Sequence, residues 1–127
     1  MRQFLYTSVM TFGVFFGSFA GPAQADDVTF LSVLTDVPLM NGLTEKTETA
    51  LYFETPEGRI VKAFATGPVT DHALRDYYQQ SLPALGWHMM ERHPALRFKR
   101  DQEILQVTPQ TKDAALDVSF TVSPARP

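Results

Sequence analysis

Leu51-Tyr52-Phe53-Glu54-Thr55-Pro56-Glu57-Gly58-Arg59-Ile60-Val61-Lys62-Ala63-Phe64-Ala65-Thr66 is the stretch that decides the fold. Leu51 and Phe53 alternate with Tyr52 and Glu54, the period of two that belongs to a strand, and Arg59 to Thr66 is a second β-rich run. Between them, Pro56 presets φ for the first turn position and Gly58 can take the positive φ that returns the chain. The stretch therefore reads as a β-hairpin, and Gly67-Pro68 closes its second strand. Alternation turns Tyr52 away from Leu51 and Phe53, which makes it a candidate exposed aromatic at a contact surface.

A helix follows. Thr70 is its expected N-cap, Asp71 sits where the helix dipole favours an acid, and Leu74, Tyr78, Leu82 and Leu85 share one face. The opposite face carries Arg75, Asp76 and Gln79, and Tyr77 and Tyr78 cannot both point inward. Pro83 forces the last turn to tighten, Gly86 ends it, and Trp87 is placed to fold back over the helix end.

Further strands are expected at 87–92, 95–100 and 104–108, with His93-Pro94 and Asp101-Gln102 as turns. A fourth is expected where Leu116, Val118, Phe120 and Val122 alternate with Asp117, Ser119 and Thr121, the mark of a sheet with one dry and one wet face. The fold class is α+β: an antiparallel sheet with a single helix packed on one face, in the order β-β-α-β-β-β with that last strand added. A ferredoxin-like fold would need a second helix, and 109–115 is too short and begins with proline.

Upstream of the hairpin, residues 26–49 read as an irregular arm, with a short strand or helical turn near 28–34 and turns at Pro38 and Asn41-Gly42. Residues 1–25 read as a cleavable signal peptide. Arg2 is the only charge before Asp26, an apolar stretch runs from Phe4 to Ala20, Gly21-Pro22 breaks it, and Ala23-Gln24-Ala25 presents small residues where signal peptidase requires them. Cleavage before Asp26 leaves one domain, 26–127, and takes the formal net charge from −3 to −4. With no cysteine there is neither a disulfide nor a lipid-modified N-terminus, and the acidic balance argues against nucleic acid and anionic membrane as partners. The expected location is the periplasm, with secretion or an inner-membrane anchor as alternatives, and membrane contact only during export.

The segments Asp36-Val37-Pro38-Leu39-Met40-Asn41-Gly42-Leu43, Phe53-Glu54-Thr55-Pro56-Glu57-Gly58-Arg59-Ile60, and Tyr77-Tyr78 ahead of Leu82-Pro83-Ala84-Leu85-Gly86-Trp87 together resemble small exported proteobacterial proteins of uncharacterised function. The resemblance covers roughly residues 34–107 and implies a short periplasmic β/α domain. It implies no activity, cofactor or catalytic residue.

Chemistry-bearing residues are sparse. His88 and His93, with Glu91 between them, are the nearest approach to a metal site, but an odd spacing sends two strand residues to opposite faces. His72 reads as a solvated helix residue. There is no G-x-S-x-G elbow and no thiol nucleophile, and Ser32, Ser81, Ser119 and Ser123 have no histidine at a telling spacing. No cofactor or catalytic residue is assigned, and the reading leans away from an enzyme. Arg97 and Lys99 share the outer face of one strand beside Arg100, with Arg92 and Lys62 as possible neighbours, and such a basic stripe suits an acidic partner or simply a wet sheet face. The expectation is a noncatalytic module that binds another envelope protein, through Leu39, Met40 and Leu43 of the arm, through Arg97 and Lys99, or through an open sheet edge. The alternative is a small-ligand carrier with a pocket between Tyr78 and Leu82 of the helix and Trp87 and Phe98 of the sheet, and a metal-dependent or hydrolytic enzyme comes third. Oligomeric state is left open.

Overall fold

In a computed structural model of the chain, the hairpin is formed by β2 (Leu51–Thr55) and β3 (Gly58–Gly67), and the helix α1 (Asp71–Ser81) follows directly. After it come β4 (His88–Glu91), β5 (Leu96–Arg100), β6 (Glu103–Lys112) and β7 (Ala115–Pro124), while a two-residue β1 (Thr44–Glu45) precedes the hairpin. The structure describes residues 28–125 together with Gly13 and Gly17; the expected signal peptide, with Ala23, Ala25 and the cleavage partner Asp26, lies outside the described residues.

All seven strands join one antiparallel sheet in the order β1-β3-β7-β6-β5-β4. β1 and β2 sit one after the other along the same edge of β3, against Ala65–Thr66 and Gly58–Lys62 respectively. The connection through α1 carries the chain from β3 to the far edge of the sheet. From β4 it returns strand by strand until β7 pairs with β3, Val61 opposite Val122 and Gly67 opposite Leu116. The fold class is therefore α+β, one antiparallel sheet with one helix.

The helix is built as its sequence dictates. The Thr70 hydroxyl accepts the Ala73 N–H at 3.0 Å, and Leu82–Leu85 tighten into a 3-10 turn around Pro83. Gly86 takes φ 91°, and Trp87, fully buried, donates its backbone N–H to the Leu82 carbonyl at 3.2 Å. Leu74, Tyr78 and Leu82 pack on the dry face of the sheet, which is made by Val61, Ala63 and Ala65, Leu96 and Phe98, Leu105 and Val107, and Leu116, Val118, Phe120 and Val122. Each large side chain so buried contributes roughly 1.5–3 kcal/mol. Tyr78 meets Phe120 edge to face at 5.5 Å, whereas Tyr77 is half-buried.

The strands run further than the sequence suggests. β6 continues through Pro109 to Lys112 and turns through Asp113-Ala114 directly into β7. Lys112 and Ala115 close that two-residue turn as a hydrogen-bonded pair, so alternation directs the Pro109 nitrogen away from β7 and toward the β5 side. There β5 reaches only as far as Val107, so the missing N–H breaks no ladder bond.

The arm is part of the core. Leu31, Leu34, Val37 and Leu43 are buried, and Val33, Leu39 and Met40 pack against them. In place of the strand or helical turn expected near 28–34 there is a compact loop, with an isolated bridge between Phe30 and Pro38 and a Leu31 N–H to Val37 carbonyl bond of 3.0 Å. Tyr78 anchors it by donating its hydroxyl proton to the Pro38 carbonyl at 2.8 Å and accepting the Met40 N–H at 3.2 Å. Burial raises the phenol's pKa, so the group stays a neutral donor. Arg75, expected on the wet side of the helix, is also buried; its guanidinium binds Asp71 and the carbonyls of Arg92 and Pro94, satisfying the turn into β5.

Candidate functional site

Among the described residues, α1 and the buried arm residues Leu31, Leu34, Val37 and Leu43 pack on one face of the sheet, and the β2 edge is a cluster of exposed apolar side chains. Leu51 pairs with Lys62 and Phe53 with Ile60, so both belong to the open face; Tyr52, opposite Val61, belongs to the helix side but lies beyond the helix's cover. All three are exposed, at 46%, 56% and 50%. The sequence expectation singled out Tyr52 alone. The structure corrects it, because the dry face is set by Val61, Ala63 and Ala65, and Leu51 and Phe53 fall on the opposite side of the pleat.

Backbone geometry adds to the exposure. The hairpin closes through a two-residue turn, so Thr55 and Gly58 exchange both of their hydrogen bonds. Alternation then gives Phe53 and Leu51 to β3 and leaves the N–H and C=O groups of Tyr52 and Glu54 pointing outward along the free edge. The Tyr52 hydroxyl donates to Glu54 Oε1 at 3.1 Å, and that hydrogen bond is the main reason the phenol's pKa is raised. Within Leu51–Thr55 the edge has no lysine, no bulge and no proline, devices that keep edges from pairing, and its one charge, Glu54, accepts the Tyr52 hydroxyl.

The β4 edge is different. Met89 and Met90 are exposed there, but the register shifts between Met89 and Glu91, and Glu91 is tied to Arg97 at 3.2 Å. A bulged, charged edge of four residues resists strand addition.

The basic stripe is smaller than the sequence suggests. Arg97 and Lys99 do share the open face, and Lys62 lies in the same cross-sheet row as Arg97, with Thr121 and Gln106 between them. Arg92 instead turns to the helix, where it reaches Asp76 at 3.0 Å and Gln79. Arg100 is on the helix side of the sheet. Its guanidinium binds Asp36, donates to the Leu85 carbonyl at 3.2 Å and lies 4.2 Å from the centre of the Trp87 ring. Arg59 joins the group through Glu103 at 2.7 Å and Asp36 at 3.5 Å. Burial alone would raise the Asp36 pKa, but the hydrogen bond and charge of Arg100, with Arg59 beyond, outweigh it and hold the carboxyl below its ordinary value. Asp36, Arg59 and Trp87, from the arm, β3 and the helix end, converge on this cluster.

Of the residues assigned to partner binding, Leu43 is buried and Leu39 and Met40 are half-buried against the core, so the structure turns them toward their own domain. The pocket expected between helix and sheet is filled: Tyr78, Leu82, Trp87 and Phe98 are all fully buried. A groove of about 360 Å³ lies instead on the open face, lined by Phe64, Thr108, Gln110, Ser119 and the pair Lys46–Asp117 at 3.7 Å. A hydrogen bond from Thr66 chiefly, with Lys46, keeps the Asp117 carboxyl ionised below its ordinary pKa. His88 faces Lys99 across β4 and β5, and His72 pairs with Asp76 at 3.0 Å on the helix surface. Among the described residues, no group of three or more His, Cys, Asp or Glu side chains could hold a metal ion.

No protein-family model matches this chain, and no curated protein and no solved structure matches it.

Proposed function

We propose that this chain is an exported, noncatalytic protein of the bacterial cell envelope that binds a protein partner by strand addition at β2. The observation that carries the reading is the β2 edge itself, where Leu51, Tyr52 and Phe53 are exposed beside the outward backbone groups of Tyr52 and Glu54. Main-chain hydrogen bonds would supply attachment and the three side chains selectivity. Export is supported by the sequence of residues 1–25, and the resemblance to small exported bacterial proteins points to the same compartment.

The test places a photo-crosslinking amino acid at Tyr52 in the native host, with Lys112, at the opposite end of the sheet, as the control. A discrete adduct is expected from Tyr52 and none from Lys112, on a periplasmic chain that begins at Asp26. No adduct at Tyr52 would end the strand-addition reading, and an intact Met1 in the membrane fraction would replace the periplasmic location by the anchored one.

A second reading, a small-ligand carrier, draws on the open-face groove, whose hydroxyl, amide and aromatic lining suits a polar small molecule. A molecule retained through native mass spectrometry and lost on Phe64→Ala would favour it.

A further inference from the structure

We propose that the occupant of the β2 edge is a second copy of this chain, paired antiparallel about a two-fold axis at Phe53; the inference rests on the strand-addition reading above and names its partner. The argument begins with the backbone. Only Tyr52 and Glu54 direct their N–H and C=O groups outward within β2, so an added antiparallel strand must oppose outward groups to outward groups. In a self-pairing this leaves three possible centres: Tyr52, Phe53 or Glu54.

A centre at Glu54 sets two carboxylates opposite each other and places Tyr52 against Pro56, which has no N–H to give. A centre at Tyr52 sets Glu54 against Ala50, which lies outside the strand at the end of the 3-10 turn Thr47–Thr49. A centre at Phe53 sets Tyr52 of each copy opposite Glu54 of the other. Both facing pairs are hydrogen-bonded ones, giving four backbone bonds across the axis. The Tyr52 hydroxyl, which already donates to Glu54 Oε1 of its own chain at 3.1 Å, then has a phenol–carboxylate complement on the second copy as well.

The side chains agree with that register. Phe53 meets Phe53 at the non-hydrogen-bonded position, where Cβ atoms stand about 4.5–5.5 Å apart and aromatic pairs contribute most. Leu51 falls opposite Thr55, and Ile60 flanks Phe53 on β3. Because facing residues share a side of the pleat, the two open faces become one continuous surface and both helices lie beneath it. The interface is isologous and closed, so it pairs the β2 edge of each copy and leaves, among the described residues, the bulged β4 edges outermost.

The test uses the chain expressed from its full sequence and purified from the envelope fraction. Sedimentation velocity from micromolar to near-millimolar concentration should show a monomer–dimer equilibrium, and Phe53→Lys, which sets like charges on the axis, should weaken it at least tenfold with an unchanged circular dichroism spectrum. The chain has no cysteine, so Phe53→Cys supplies a single thiol. At a non-hydrogen-bonded pair the Cα separation of about 4.5 Å accepts a disulfide, and oxidation should link the copies. Tyr52→Cys and Glu54→Cys should each fail to link alone and should link when mixed. A wild-type chain that stays monomeric overturns the proposal, as does a Tyr52→Cys chain that links as fast as Phe53→Cys. If the chain is monomeric while the Tyr52 photo-adduct joins it to a different protein, strand addition stands and only the second copy is removed.

Discussion

Arg100 ties β5 to three parts of the chain that are far apart in sequence. It binds Asp36 of the arm, the Leu85 carbonyl at the helix end, the Trp87 ring and, through Asp36, Arg59 of β3. Read as a sequence, Arg97, Lys99 and Arg100 look like one basic run. The pleat divides them: Arg97 and Lys99 go to the open face and Arg100 to the covered one, and nothing local marks Asp36 as its counter-ion. The period of two was enough to separate the faces, and the long-range partner was not legible. Asp36→Asn keeps the shape but removes the charge, and should cost about 1–2 kcal/mol near neutral pH, at or below the low end of the range for hydrogen bonds to charged groups because the cluster is partly exposed. The sign of its pH dependence follows from the depressed carboxyl. A group ionised more readily in the folded state contributes fully above its unfolded pKa of about 4 and loses that contribution as pH falls through its lower folded value. Denaturant titrations should therefore show wild type and variant well separated at pH 6 and converging below about pH 4. A gap that persists undiminished into strong acid would mean the carboxylate charge is not what holds the cluster.

At the scale of elements, the hairpin, the helix and the last strand were legible because each carries its own punctuation or alternation. Pro56 and Gly58 mark one turn, Thr70 the helix start, Pro83 and Gly86 its end, and Leu116 to Val122 alternates without interruption. What the punctuation did not reveal is why some of it is there. Gly67 reads as the end of a strand, yet its role is packing: a Cβ there would lie 1.9 Å from the Gly42 carbonyl oxygen, where the arm's Asn41-Gly42 turn crosses the end of β3. Gly42 itself has φ 96°, so the carbonyl cannot swing away without straining the turn. Gly67→Ala should accordingly destabilise the domain by roughly 2–3 kcal/mol, the upper part of the range for overpacking, although alanine in a strand is otherwise harmless. The measurement is the chemical denaturation midpoint. An unchanged midpoint would show that the arm shifts freely over β3, and would detach it from the core.

For the molecule as a whole, the question raised by the sequence was whether the apolar arm is a lure for a partner or a piece of the domain. Aperiodic segments give no face to read, so Leu31, Leu34 and Val37 could not be assigned from pattern alone. The structure places all three at or near zero exposure over the helix and sheet, so the largest exposed apolar side chains of the hairpin are those of β2, where alternation had shown the strand but not which face of it was free. An arm that completes the core should unfold with the core. Leu34→Ala removes a fully buried side chain and should cost 2–5 kcal/mol, with arm and sheet lost in one transition. Amide hydrogen exchange distinguishes this from a loosely docked arm. The Leu31 N–H, bonded to the Val37 carbonyl at 3.0 Å, and the Leu39 N–H, bonded to the Thr29 carbonyl at 2.7 Å, should exchange with the same opening free energy as amides of the β6–β7 ladder. Leu34→Ala should lower both sets equally. If the arm amides exchange several kcal/mol more easily than the ladder, the arm opens on its own and Leu39, Met40 and Leu43 return as a surface that a partner could reach.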